Sequence, residues 1–408
     1  MAKILLHNLS IPYVDQYSDL YHFDKNAIYF ADASDSIIVR GAPPDPALMK
    51  FLVREGIVAS PLTFLSSSLP SAPFSVFQDV ALVQQIKQHS NLNIDELDVF
   101  MPTEYEAQLA SDLSFNYPYS ADQYDKYVGK SLFRQQCKEL GVPIPVGQEN
   151  LKSIQQVIWL VIKMLFSGIS EVVVKQNDGV AGLAARRLTT VSLLKSIFGL
   201  SKIMPPYFVQ PGSFNYMVEQ WHKNVVASPS IQCFINKVGG IEILSMHDQI
   251  MKDNKMTYAG CASEHWLTEE VQQTLMQYSK RHAELLASEG YFGHVAYNAI
   301  LLSDGRLLFT ETNPRRVMSS YPFKIISNLG YSRVTMPPYK TFSITREAWV
   351  GKGAEVVLSD LSEDLFLQNK KVGLIPFDVK LLNQLGTVMV LAIGVKKSEV
   401  DNYVKKYG

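Results

Sequence analysis

Short apolar runs alternate with segments of helical periodicity along the whole chain. "AKILLHNL" near the start reads as a strand, and "PALMKFLVREG" as a helix closed by Gly56. "DVALVQQIKQH" repeats the helical pattern, and "LDVFM" is a short strand. These elements make residues 1–125 a small α/β domain. In "GKSLFRQQCKELGVPIP" (129–145) the apolar positions fall at helical spacing, Gly141 stops the helix, and Pro143 and Pro145 stiffen the exit. "EVVVKQNDGVAG" (171–182) is an apolar strand ending in a lysine and a glycine-containing loop. "YMVEQW" (216–221), "SIQCFIN" (230–236) and "IEILSMHDQIM" (241–251) read as further strands. "VQQTLMQYSKRHAELLASEG" (271–290) predicts a long helix. "GHVAYNAILLSDGRLLFTETNPR" (293–315) predicts a hairpin turning at Asp304 and Gly305. From about 331 the pattern yields a strand, "GTVMVLAIG", and a final helix, "KKSEVDNYVKKYG". The alternation is that of an α/β protein.

Composition narrows the class. The 408 residues are 47% hydrophobic and 19% charged, with a net charge of -1. That is ordinary globular composition, with length for two or three domains. No broad basic field invites nucleic acid or anionic lipid, so neither is expected as a partner. The three cysteines, Cys137, Cys233 and Cys261, form no C-x-x-C pair. This usage fits a reducing compartment, and "MAKILLHNLS" lacks the features of a signal peptide, so a cytoplasmic location is expected. The most apolar stretch, "VIWLVIKMLF" (157–166), is about half a membrane span and contains Lys163. It is expected to be a buried helix.

Several residues could carry chemistry. In "LLFTETNPRR" (307–316) an apolar strand breaks into a carboxylate, an amide and a guanidinium. Residues i, i+2 and i+4 of a strand share a face, so Glu311, Asn313 and Arg315 point the same way while the chain stays extended. Pro314 keeps the preceding residue extended. Asn298 lies on the partner strand of the hairpin. A carboxylate and two amide oxygens suit Mg²⁺, and Arg315 beside them suits a phosphate oxygen. Taken alone, the string is equally a solvated strand end with a surface ion pair. In "KQNDGVAG", Lys175 ends a strand, and Gly179 and Gly182 let backbone N–H groups turn inward around an anion. It lacks the order of a P-loop, and a plain glycine turn reads as well. Lys130 opens a helix. Glu219 and Trp221 of "VEQW" could meet a base, or face water and pack in the core. Gln249 of "HDQ" is a candidate polar contact. His247 and Asp248 are neighbours in a strand and should face opposite ways. Arg316 should face away from the site, and His294, Tyr297 and Tyr321 read as structural.

The order of these signals resembles the ATP-grasp superfamily. Lys130 with "GVPIP", Lys175 with its glycine loop, "VEQW", and the hairpin with "TETNPR" together cover about half of the chain, roughly 126–320. "VEQWH", "SPSIQ" (228–232), "MHDQI" (246–250) and "TYAGC" (257–261), behind a short N-terminal α/β domain, are similar to pre-ATP-grasp peptide ligases of the pheganomycin-synthesis type. The resemblance implies an ATP-grasp fold with an N-terminal pre-ATP-grasp α/β domain and a small C-terminal α/β subdomain. The implied division is 1–125, 126–330 with a mobile lid at about 150–225, and 331–408.

The resemblance also implies ATP and Mg²⁺. Lys130, Lys175, Gly179 and Gly182 would hold phosphates, Glu219 and Trp221 the adenine, and Gln249 a further nucleotide contact. Asn298, Glu311 and Asn313 would hold Mg²⁺, with Arg315 and Lys175 catalytic. The implied reaction joins a carboxylate to an amine, of amino acids or short peptides, through an acyl phosphate. A homodimer is expected by analogy. Two departures stand out. Asn298 replaces the carboxylate that many relatives carry, and "HKNVVASPS" after the hinge lacks a carboxylate for the ribose. They leave open a catalytically silent nucleotide-binding module, or an enzyme that phosphorylates a small molecule.

Overall fold

The computed structural model describes residues 2–7, 23–67, 80–89, 94–177, 185–189, 215–252 and 256–408. Strands β1 (Ala2–Leu6), β2 (Ser36–Arg40), β3 (Thr63–Ser67) and β4 (Ile94–Val99) form a parallel sheet of order β3-β2-β1-β4. Parallel neighbours need crossovers, and helices Pro46–Arg54 and Val80–His89 provide them. Asp45 caps the first helix by accepting from the backbone N–H of Ala47 at 2.9 Å. Gly56 closes it with φ of +70°, as the sequence predicts.

A second sheet holds β5 (Gly147–Leu151), β6 (Glu171–Gln176), β7 (Ala185–Thr189) and β8 (Tyr216–Gln220) in the antiparallel order β5-β8-β6-β7. Gly147 is required there, because a Cβ would lie 2.2 Å from the carbonyl oxygen of Val218. The helix Ile154–Phe166 packs on this sheet through Val157, Leu160, Val161, Met164 and Leu165. Its other face is open: Trp159 is 60% exposed and Phe166 87%. The expected buried helix is therefore amphipathic, because only one side meets the sheet.

The largest sheet has nine strands among the described residues. These are β9 (Val225–Ala227), β10 (Pro229–Ile235), β11 (Ile241–Met251), β12 (Tyr258–Ser263), β13 (Gly293–Leu302), β14 (Leu307–Asn313), β15 (Tyr339–Thr345), β16 (Gly373–Asp378) and β17 (Thr387–Ile393). The order is β14-β13-β10-β11-β12-β15-β17-β16, with β9 pairing onto β13. The long helix Glu269–Ser288 covers one face and buries Leu275, Ala283 and Leu286.

The strands after residue 331 extend this sheet instead of forming their own. They share a core with the N-terminal part, in which Leu5, Ile37 and Phe51 meet Ile375, Leu391 and Ile393. Each such side chain contributes roughly 1.5–3 kcal/mol on burial. The Tyr29 hydroxyl donates to the carbonyl of Phe377 at 2.7 Å, which fixes the two parts against each other. No helix among the described residues is long and apolar enough to cross a membrane.

Candidate active site

Lys130 is the first residue of the helix Lys130–Glu139. Asn177, just past β6, holds the helix start: its side-chain oxygen accepts from the N–H of Ser131 at 2.8 Å, and its carbonyl from that of Lys130 at 3.2 Å. Lys130 and the end of β6 are thus tied together. Lys175 lies on β6, on the same face of the sheet as Glu219 of β8. Its ammonium is 2.6 Å from Glu219 Oε2. The other oxygen of Glu219 accepts from Arg134, whose guanidinium also reaches Glu149 at 3.1 Å and the carbonyl of Pro145 at 3.1 Å. Glu219 is only 1% exposed.

Glu219, the expected contact for a base, lies in the lining of the cleft. Both of its oxygens are held by cations, so Glu219 acts as the anchor of Lys175. Arg134 was missed in the sequence. The signal was its position four residues after Lys130, on the buried face of one helix.

Across the cleft, β13 and β14 pair Asn298 with Glu311. Asn298 donates to Glu311 Oε1 at 2.8 Å, and Gln249 donates to the oxygen of Asn298 at 3.3 Å. Asn313 lies 3.5 Å from the same Glu311 oxygen. Arg315 donates to the side-chain oxygen of Asn313 and to the carbonyl of Arg316, both at 2.9 Å. The predicted run Glu311, Asn313, Arg315 is therefore one connected array, joined to Asn298 and Gln249. Burial alone would raise the Glu311 carboxyl. Lys130, Lys175 and the amides of Asn298 and Asn313 outweigh it and hold the group below its ordinary value. Both lysines line the same cleft as Glu311.

Lys130, Lys175, Glu219, Trp221, Gln249, Asn298 and Glu311 line one cleft of about 440 Å³ between the second sheet and the largest sheet. The volume is that of a small-ligand site. Its walls are polar at the lysine end and apolar at Val173, Ile250, Met251 and Ile300. Trp221 lies at the rim with the Arg187 guanidinium 5.1 Å from its ring centre. Gly179 and Gly182 lie outside the described residues.

The fold is shared with known structures. An N5-carboxyaminoimidazole ribonucleotide synthetase in complex with ADP superposes with a TM-score of 0.60 at 12% identity, over 99% of this chain and 95% of that one. A Campylobacter jejuni biotin carboxylase in complex with β-γ-ATP gives 0.62 at 12% identity, over 100% and 90%. The protein has the ATP-grasp fold. The biotin carboxylase domain dimer of Hydrogenobacter thermophilus 2-oxoglutarate carboxylase, with MgADP, ADP and bicarbonate, gives 0.62 at 12% identity, over 100% and 89%. No family model matches the chain, and no curated protein matches it in sequence.

Within this ATP-grasp fold the remaining sequence candidates separate clearly. Tyr297 and Tyr321 are fully buried, and the Tyr297 hydroxyl lies 3.2 Å from His282 Nδ1. His294 packs edge-on against Phe234 at 4.9 Å. His247 is fully buried while Asp248 lines the cleft, so the two do not act as a pair. Among the described residues no three His, Cys, Asp or Glu side chains converge on a metal position. A Mg²⁺ here would take one carboxylate, from Glu311, and amide oxygens from Asn298 and Asn313. The remaining positions would fall to phosphate oxygens and water, as is usual for Mg²⁺ in nucleotide enzymes. The donor set fits the ion.

Proposed function

We propose that the protein is an ATP-dependent, ADP-forming ligase that joins a carboxylate to an amine. The amino acid or short-peptide substrates of the peptide-ligase resemblance are part of this proposal. So are the roles of the named residues, the lid at about 150–225, the three-part domain division, a homodimer and a cytoplasmic location. One observation carries the reading: two lysines from different elements line a single cleft with Asn298 and Glu311, and Glu311 is joined to Asn313 and Arg315 by hydrogen bonds.

The substrate carboxylate oxygen attacks the γ-phosphorus of ATP, the bond to the β-phosphate oxygen breaks, and ADP leaves. The amine nitrogen then attacks the acyl carbon, phosphate leaves, and the nitrogen gives up a proton. Such transfer needs positioning and charge neutralisation more than covalent help. Lys130 and Lys175 hold phosphate oxygens, and Glu219 with Arg134 fixes where Lys175 sits. Arg315, held by Asn313, neutralises the transferred group and then the oxyanion of the tetrahedral intermediate. Bound Mg²⁺ would supply further charge neutralisation at the β- and γ-phosphates. Closure of the lid excludes water from the acyl phosphate.

A silent nucleotide-binding module is the second reading. It is favoured by Asn298, which leaves Glu311 as the one carboxylate of the array. A phosphorylating enzyme would use the same groups without the amine. ADP release measured with and without an amine acceptor separates the three. Amine-dependent release supports the ligase, amine-independent release the phosphorylating enzyme, and nucleotide binding without release the silent module.

A further inference from the structure

The corner that follows β14 is gripped by the end of β4. The Arg316 N–H donates to the carbonyl of Phe100 at 3.2 Å. Its guanidinium donates to the carbonyl of Val99 and pairs with the Asp98 carboxylate. Phe100, just past β4, is itself fixed. Its N–H donates to the carbonyl of Leu6 at 3.3 Å, and its ring packs 5.2 Å from Phe23 and lies nearly parallel to Tyr321 at 6.1 Å. Phe100 is only 2% exposed.

Arg315 is held in two ways. Its Nη atoms donate to the carbonyl of Arg316 and to the side-chain oxygen of Asn313, both at 2.9 Å. Those oxygens belong to its own segment and fix the edge of the guanidinium. Its face is met from the N-terminal part: Cζ lies 5.8 Å from the centre of the Phe100 ring, within the range where an aromatic face attracts a cation. Arg315 Nε is buried and has no hydrogen-bond partner among the described residues. Buried donors are nearly always paired, so a free one on a held guanidinium suits an acceptor oxygen brought by a ligand. A long side chain loses rotamer freedom on ordering, and holding it beforehand removes part of that cost from binding.

We propose that Phe100 is a positioning residue for Arg315: its ring holds the guanidinium in the orientation that meets the transferred phosphoryl group. This rests on the ligase reading above, in which Arg315 neutralises that group. The N-terminal part thereby contributes to the reaction through a side chain that acts on Arg315. A core role alone would make Phe100 matter for folding and leave the phosphoryl contact unchanged.

The probe is fluoroaluminate, which mimics a phosphoryl group in transfer. The full chain is titrated calorimetrically with MgADP, with and without fluoroaluminate, and the gain in affinity is read. Wild type is expected to gain about ten-fold or more, the value of a charge-assisted contact. Arg315→Ala is expected to lose that gain. Phe100→Leu is expected to bind MgADP alone as wild type does, and to lose about three-fold or more of the gain. Incorporating 3,4,5-trifluorophenylalanine at Phe100 keeps the shape of the ring and withdraws charge from its face. It should reproduce the loss, and 4-fluorophenylalanine should give a smaller one. The fluorinated proteins decide the matter even where Phe100→Leu does not fold. An undiminished gain in the trifluoro protein would overturn the proposal, whatever Phe100→Leu shows. A wild type that binds MgADP with no gain would overturn the role of Arg315 and the proposal with it. A wild type that binds no MgADP would instead overturn the nucleotide reading itself.

Discussion

Arg316 grips Asp98 with both ends of its guanidinium. Nη1 meets Oδ1, Nη2 lies 3.1 Å from Oδ2, and the whole pair is buried. Tyr119 donates to the same carboxylate at 3.0 Å. The residue after the candidate catalytic arginine is thereby bolted to the end of β4. Arg315 beside it holds the side-chain oxygen of Asn313 and lies over the Phe100 ring, 5.8 Å from its centre. Burial would raise the Asp98 carboxyl, but Arg316 and His7 hold it far below its ordinary value.

Breaking that pair should be costly. Asp98→Ala leaves a buried guanidinium without its counter-charge and is expected to lower stability by about 3–5 kcal/mol, read from urea unfolding. The double change Asp98→Leu with Arg316→Met removes both charges and should restore most of the loss. A double variant no more stable than Asp98→Ala would show that packing, not the unpaired charge, sets the cost.

Lys175 is tied to Glu219, which Arg134 also holds. Lys175→Met leaves the Arg134–Glu219 pair intact, so the unfolding midpoint should move little. The affinity for MgADP should fall by about ten-fold or more, the value of a charge-assisted hydrogen bond to phosphate. Calorimetry on the variant checks this, and unchanged affinity would remove Lys175 from the phosphate site.

Asn298 is one bond from Glu311, and its chemistry sets the metal demand. Asn298→Asp adds an anionic ligand and should lower the Mg²⁺ concentration needed for nucleotide binding by about ten-fold, as a second near charge at the surface is worth roughly 1–2 kcal/mol. Glu311→Gln should raise that concentration. A Mg²⁺ titration of nucleotide affinity reads both, and identical midpoints in the three proteins would contradict the assigned ligands.

His247 gives a pH signature. It is fully buried, both ring nitrogens lack a hydrogen-bond partner among the described residues, and burial pushes its pKa down from 6.5 to about 3. The unfolded chain therefore binds a proton between pH 6.5 and about 3 that the folded chain does not, so stability rises with pH across that window. The His247 contribution to the loss from pH 7.5 to pH 5 is about 2 kcal/mol. His247→Leu should flatten the curve by that amount. His282, pushed to about 4, adds the same sign and remains in the variant. An unchanged slope would show that the His247 ring is protonated in the folded protein.

The sequence made the repeating elements legible where their pattern was local. The hairpin at Asp304–Gly305, the strand Ile241–Met251 and the helix ends at Gly56, Gly141 and Gly290 appear as their turn and periodicity signals predict. The strand carrying Glu311, Asn313 and Arg315 was readable because a two-residue repeat fixes which side chains share a face. What depends on distant pairing was not readable. Nothing local says that strands after 331 join the sheet of β10–β14, or that Arg134 would occupy the carboxylate of Glu219. The partner of Arg316 lies 218 residues away. No local pattern could have named Asp98 as that partner.

The central claim is tested most directly by product formation. The purified protein would be given ATP, Mg²⁺ and pools of amino acids and short peptides, with Glu311→Ala and Arg315→Ala in parallel. ADP and phosphate release would be followed together with new masses. The account predicts ADP release by the wild type only when a carboxylate and an amine are both present, with a product equal to their sum minus water, and loss of both signals in the two variants. ADP release that needs no amine and leaves a stable phosphorylated product would contradict it, as would unchanged turnover in either variant.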